Sequence, residues 1–316
     1  MSSISIIGAG AFGTALAISL ARDGREVTLW ARDPGDMAAT RENTRRLPGF
    51  AFPESLSLAG DLETAARADV ILLAIPMQKT SRFLWIEAAL FQDKTLVSCS
   101  KGIDVLSGRG PAEIIRYECP EATPAVLSGP SFAVDIAAGL PTALTLAAAD
   151  PEPLQHMLST SNIRLYRSTD MVGVEIGGAL KNVIAIACGV AIGAGLGESA
   201  RAALMTRGYA EMNRFAMSRG AAPETLAGLS GFGDLTLTCT SEKSRNFSYG
   251  LALGREAPVA EGTTIEGRGT ARAVHFAAQK AGVEMPITDI VVALVNGDVT
   301  VKDAVEALLS RPLKEE

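Results

Sequence analysis

A short glycine-rich run near the amino terminus sets the terms for the fold. Gly8-Ala9-Gly10-Ala11-Phe12-Gly13 fits the pattern GxGxxG. It follows the apolar run Ile4–Ile7, opens a helical pattern over Ala11–Arg22, and precedes a second strand-like run at Val27–Ala31. A lone GxGxxG says little, but strand, glycine turn, helix and strand in this order is a dinucleotide-binding βαβ unit. Gly8 permits the tight turn, Gly10 lets backbone approach a pyrophosphate, and Gly13 lets the helix press on the sheet. The helix N-terminus then faces the phosphates.

The rest of the first half keeps this rhythm. Glu63–Ala68 suits a short helix and Val70–Ile75 is a continuous apolar strand. Leu96–Ser100, Ala125–Leu127, Thr142–Ala147 and Ile163–Tyr166 read as further strands, with helical segments around 78–90 and 111–117. That alternation argues for a parallel sheet covered on both faces. From about Asp170 the period changes to helix: Met171–Ala191, Ala200–Arg219, Phe276–Ala281, Ile287–Asn296 and Val301–Leu309. The expected fold is therefore α/β. An N-terminal Rossmann-type parallel-sheet domain (1–168) precedes an all-helical C-terminal domain (169–316) that binds substrate.

Composition narrows the function. The 316 residues are 47% hydrophobic and 20% charged, enough for buried cores. With 29 Lys and Arg against 35 Asp and Glu the formal charge is −6, and no basic run stands out. Nucleic acid is a poor partner for such a surface. The two histidines, His156 and His275, are too few for a His-rich metal site, so no metal is expected. Cys99, Cys119, Cys188 and Cys239 form no CxxC pair and read as reduced thiols of a cytoplasmic protein. The uncharged stretch between Lys181 and Glu198 is short for a membrane span and carries several glycines, so a buried helix is expected there.

Several motifs carry chemistry. At the end of the second strand, Ala31 cannot repel a 2′-phosphate and Arg32 could bind one, or Arg32 could simply pair with Asp33. The balance leans to NADPH, with NADH still accepted. Lys101, in Ser98-Cys99-Ser100-Lys101-Gly102, lies at a strand end, where ligands of open parallel sheets bind. Ser128-Gly129-Pro130-Ser131-Phe132-Ala133 follows another strand and offers backbone N–H groups and a hydroxyl, with Ser131 as a candidate helix N-cap. Lys181, in Gly177-Gly178-Ala179-Leu180-Lys181-Asn182-Val183, is a cation in an apolar helix, which is costly unless paired or used. Asp234, in Gly231-Phe232-Gly233-Asp234-Leu235-Thr236, could hold it or merely cap a helix. Ser244-Arg245-Asn246 offers a guanidinium fork for a phosphate, or a polar helix start.

Taken in order, GAGAFGTA, CSKGI, SGPSFA, ALKNV, TRGYAEM, GFGDLTLTC and SRN resemble the NAD(P)-dependent glycerol-3-phosphate dehydrogenase family. The resemblance runs from Ile4 to about Arg311. It implies reversible reduction of dihydroxyacetone phosphate to sn-glycerol 3-phosphate with NADP(H) or NAD(H), feeding phospholipid synthesis in the cytoplasm. By match to those motifs Lys181 would be the general acid/base and Asp234 its support. Lys101 would touch substrate and cofactor, Gly129 and Ser131 the substrate. Ser244, Arg245 and Asn246 would hold the substrate phosphate. Gly8, Gly10, Ala11, Phe12, Gly13, Arg32, Ala133, Thr264 and Glu266 would line the cofactor, with Arg245 near it too. A homodimer without a membrane span is expected. Ala11-Phe12 replaces the family's frequent Ser-Trp, Ser199 its common Asn, and Thr264-Ile265 a usual Val-Val, while the stretch from Arg245 to Glu266 is shorter.

Two other readings share these features. Dehydrogenases of 3-hydroxy acids also combine a Rossmann domain, a helical domain and a catalytic lysine often followed by Asn. The other is a non-catalytic NADP(H)-binding sensor or scaffold. The tripeptide at 244–246 and the segment Gly231–Cys239 speak against the first, and the presence of both Lys181 and Asp234 speaks against the second.

Overall fold

The computed structural model describes residues 3–259 and 264–309. It divides into two compact units. One comprises the chain through Lys101 together with Arg109–Glu175, and the other Gly102–Gly108 together with the chain from Ile176 onward.

The first unit alternates strands and helices. In order these are β1 (Ile4–Ile7), α1 (Ala11–Arg22), β2 (Val27–Trp30), α2 (Met37–Thr40), β3 (Leu56–Ala59), α3 (Leu62–Ala66), β4 (Val70–Leu73) and α4 (Met77–Glu87). They continue as β5 (Thr95–Ser98), α5 (Pro111–Glu118), β6 (Thr123–Ser128), α6 (Ala133–Ala137), β7 (Thr142–Ala148), α7 (Glu152–Leu158) and β8 (Ile163–Ser168). The strands form one sheet in the order β3-β2-β1-β4-β5-β6-β7-β8. Successive side chains of β1 and β4 enter opposite cores. Ile4, Ile6, Val70 and Leu72 belong to one, Ile7, Ile71 and Leu73 to the other. Both faces are thus covered, which is why β4 is continuously apolar and β1 is apolar except for buried Ser5.

One pairing departs from the parallel expectation: β7 runs antiparallel to β6, then pairs parallel with β8. Hydrophobic runs carry no direction, and the connection through α6 simply turns back after Gly139. A further strand, β3, lies at the sheet edge, and its apolar residues are interleaved with serine, so it has no apolar run to mark it in the sequence. Strand order reverses between β1 and β4, so the ligand-binding crevice of such a sheet lies at the ends of β1, β2 and β4. Ile7 is in register with both Trp30 and Leu73, which brings those ends level.

Among its described residues the second unit has helices and connecting segments but no strand. Its helices are α8 (Met171–Gly193), which begins in the first unit, α9 (Gly197–Ser218), α10 (Pro223–Ala227), α11 (Asp234–Cys239), α12 (Arg245–Gly254), α13 (Glu266–Ala281), α14 (Pro286–Asn296) and α15 (Val301–Leu309). Helix α8 is long and apolar enough to cross a membrane, but 89% of its apolar window is buried in the protein. Its glycines explain how. A Cβ on Gly189 or Gly193 would strike the backbone of α12, and one on Gly250 or Gly254 would strike the backbone of α8. Two small-residue faces let the helices approach backbone to backbone. Ile103, from the 102–108 segment, joins the same core.

Candidate active site

The glycine run forms a cradle wedged between strand ends. Gly8 adopts φ +114°, a conformation open to glycine, and a Cβ there would lie 2.5 Å from the Ala74 carbonyl oxygen. Its N–H donates to the Trp30 carbonyl at 3.0 Å. A Cβ on Gly13 would strike the Gly8 carbonyl and sit 2.8 Å from Ala74 Cβ, so α1 presses on the sheet there. Around Gly10, by contrast, a Cβ would meet nothing within 4 Å. Gly10 is the N-cap of α1 and offers no side-chain cap, and no acid occupies the first turn at Ala11 and Phe12. The helix N-terminus therefore presents backbone N–H groups and positive dipole to open space, which fits a pyrophosphate.

Asn43, buried and unsuspected from the sequence, donates from Nδ2 to the Ala9 carbonyl at 2.9 Å and to Thr14 Oγ1 at 2.8 Å. It lies in a loop, where no periodicity could single it out. Arg32 is exposed beyond β2 and has no ion pair among the described residues. Asp33 pairs instead with Arg45, so the Arg32–Asp33 pair considered from the sequence is not formed. Lys101 donates from Nζ to the Gly129 carbonyl at 2.9 Å, which ties the end of β5 to that of β6. Ser131 Oγ donates to the same carbonyl at 3.3 Å rather than capping α6, whose N-cap position is Phe132; Ala133 opens that helix. Burial pushes the Cys99 thiol up to about 12 despite nearby Lys101, so it stays a protonated, unreactive thiol.

In the second unit Lys181 meets its partners. Lys181 Nζ donates to Asp234 Oδ1 at 2.8 Å and to Thr238 Oγ1 at 2.7 Å. Lys181 is 7% exposed and Asp234 1%. A buried ion pair is retained only when geometry and further hydrogen bonds offset desolvation, and here the threonine supplies one. Asp234 and Thr238 stand four residues apart on α11, so one helical turn aims both at the same ammonium. A π-helical turn, Leu229–Gly233, feeds directly into Asp234. It packs against α8, where a Cβ on Gly177 would lie 2.7 Å from the Ser230 carbonyl. Thr238 had escaped the sequence reading, although the i,i+4 spacing from Asp234 was there to be used.

The remaining site residues cluster at two helix starts. Ser244 caps α12, its Oγ accepting from the Phe247 N–H at 3.2 Å. Arg245 is the first helical residue, exposed and without an ion pair among the described residues. Asn246 is buried and works as a brace. It donates to Asn182 Oδ1 at 2.8 Å and accepts from the Gly267 N–H at 3.0 Å. Asn182 follows Lys181, so the brace links the lysine's helix to α12 and to the start of α13. Glu266 opens α13 half-buried, and Thr264 lies exposed just before it. Among the described residues no group of three or more His, Cys, Asp or Glu could hold a metal ion.

Both halves of the chain match models of one family. Residues 3–153 match the N-terminus, and 170–306 the C-terminus, of NAD-dependent glycerol-3-phosphate dehydrogenase. A protein of Ruegeria sp. (strain TM1040) named glycerol-3-phosphate dehydrogenase [NAD(P)+] is 60% identical over 321 residues, covering 99% of this chain and 100% of that protein. A protein of the same name from Paracoccus denitrificans is 58% identical, over 99% and 100% of the two chains. The crystal structure of glycerol-3-phosphate dehydrogenase from Coxiella burnetii superposes with a TM-score of 0.93 at 39% identity, over 98% of this chain and 99% of that one.

Proposed function

This chain belongs to the NAD-dependent glycerol-3-phosphate dehydrogenase family and is an NAD(P)-dependent oxidoreductase, and from that premise we propose that Lys181 is the general acid/base of its reaction. The observation that carries this reading is the buried ammonium of Lys181 held by Asp234 and Thr238. In the reductive direction dihydroxyacetone phosphate becomes sn-glycerol 3-phosphate. When bound, the nicotinamide supplies the hydride that C2 accepts. Lys181 Nζ gives a proton to the C2 oxygen as charge develops there, and takes it back in the reverse reaction. Asp234 and Thr238 fix the direction of that ammonium, which a mobile four-carbon stem would otherwise leave to chance.

Arg245, with Ser244 and Asn246, takes the substrate phosphate at the start of α12, where helix dipole and guanidinium act together. Binding energy from that remote phosphate orients the carbonyl. Lys101, Gly129 and Ser131 complete the substrate contacts. Gly8, Gly10, Gly13, Ala11, Phe12, Arg32, Ala133, Thr264 and Glu266 hold the cofactor. The product serves glycerophospholipid synthesis in the cytoplasm, and the working form is a homodimer.

A paired substrate panel tests the phosphate assignment. Arg245→Ala should raise KM for dihydroxyacetone phosphate by about a hundredfold, the scale of a lost charge-assisted fork. Activity on dihydroxyacetone, which lacks the phosphate, should be weak in both proteins and alike. An unchanged KM for the phosphorylated substrate would remove Arg245 from this role.

A further inference from the structure

The turn after β2 carries a cation with no ion pair among the described residues, Arg32, next to an acid, Asp33, at the place where parallel sheets of this order read the cofactor's ribose. A carboxylate there ordinarily selects for a 2′-hydroxyl, because it repels the 2′-phosphate. Here the carboxylate is already engaged. Arg45 donates from Nη1 to Asp33 Oδ2 at 2.9 Å and from Nη2 to the Asp33 backbone carbonyl at 2.8 Å. The Gly35 N–H donates to Asp33 Oδ1 at 3.1 Å. A Cβ on Gly35 would lie 2.9 Å from Arg45 Nη2, so the guanidinium lies close against the turn. These contacts hold the Asp33 carboxyl below the usual carboxylate range, the Arg45 hydrogen bond most of all.

Arg45 does not arrive there on a loose chain. Two residues before it, buried Asn43 is bonded to Ala9 within the glycine cradle, and Leu47 N–H donates to the Asn43 carbonyl at 2.9 Å. The cradle, the 43–47 turn and the β2 turn are thus one hydrogen-bonded assembly. Stability does not explain the pair, since the Arg45 and Asp33 side chains are 52% and 74% exposed and exposed ion pairs contribute little.

We propose that Arg45 is a positioning residue for cofactor choice: by clamping Asp33 it cancels the negative charge beside Arg32 and lets this turn accept a 2′-phosphate. The proposal rests on the first unit being the dinucleotide site. Calorimetric titration of the full chain with 2′,5′-ADP and 5′-AMP, fragments with and without the 2′-phosphate, tests it apart from turnover. Titrations with NADP+ and NAD+ accompany these. Arg45→Ala should weaken 2′,5′-ADP about tenfold while 5′-AMP changes less than about twofold. Adding Asp33→Asn to that variant should restore 2′,5′-ADP binding to within about threefold of wild type. The proposal is overturned if Arg45→Ala leaves the ratio of the two affinities unchanged. It is equally overturned if the double variant stays as weak as the single, which would make Arg45 a direct phosphate ligand. Wild-type protein that bound neither NADP+ nor NAD+ would sink the dinucleotide reading itself, a different outcome from a ratio that ignores Arg45. Because the pair is exposed, all variants should melt near the wild-type temperature, which keeps misfolding separate from lost selectivity.

Discussion

At the scale of single residues, the protein solves one problem twice: how to keep a polar group useful while burying it. Lys181 is balanced by Asp234 and stapled by Thr238, and its neighbour Asn182 is locked through Asn246. Thr238→Val keeps the volume but removes the hydroxyl, leaving one ammonium N–H without its oxygen. Stability should fall by about 1–3 kcal/mol, the penalty of an unmet buried donor. Turnover should fall about tenfold as the ammonium loses its fixed direction, while affinity for NADP+ stays put. Equal kcat in the variant would reduce Thr238 to packing. The sequence pointed to Lys181 and Asp234 because charges in apolar, glycine-rich stretches stand out. It did not point to Thr238, Asn43 or Asn182, whose roles depend on which chain segments meet, and a neutral polar side chain in a helix or loop gives no such contrast.

At the scale of elements, helix ends do much of the organising. Helix α1 has no side-chain cap and no acid at its N-terminus, while α14 has its own N-terminus closed by a carboxylate from α9. Glu211 is buried, and its oxygens accept from Ile287 N–H at 2.7 Å and Thr288 N–H at 3.3 Å. Burial outweighs those hydrogen bonds and pushes its carboxyl up to about 7 from an ordinary 4.5. The folded chain then holds a proton that the unfolded chain has already released, so Glu211 favours folding below its unfolded value. That contribution is lost as pH rises toward 7, and stability is flat above. Glu211→Gln removes the titration yet keeps an acceptor. The wild type should therefore lose on the order of a few kcal/mol relative to the variant between about pH 4.5 and 7, read as the difference of their denaturation curves. Parallel curves across that range would mean Glu211 does not titrate as described. Most elements were legible from period and punctuation, down to the α14 stop at Gly297. Strand direction was not, because β6 and β7 look alike whichever way they run. The start of α13 was also missed. Its first turns mix Gly and Arg with small residues, and at its start the Gly267 N–H donates to Asn246 while the α8 backbone leaves no room for a Cβ on Gly267.

At the scale of the whole molecule, the formal charge of −6 discouraged nucleic acid as a partner but concealed the cations that matter. Arg32, Arg45 and Lys101 belong to the first unit, and Lys181 and Arg245 to the second. Each unit has its own core, so most of the groups proposed for the cofactor rest on packing separate from that of Lys181, Thr264 and Glu266 being the ones that belong to the second unit. Chemistry and cofactor binding should then be separable by mutation. The direct test is steady-state oxidation of NADPH by dihydroxyacetone phosphate with wild type and Lys181→Ala, beside a calorimetric titration of each with NADP+. Loss of the acid should lower kcat by about a thousandfold or more, with the NADP+ affinity within about twofold of wild type. A Lys181→Ala enzyme whose kcat stayed within about tenfold of wild type would contradict the assignment of the proton to Lys181.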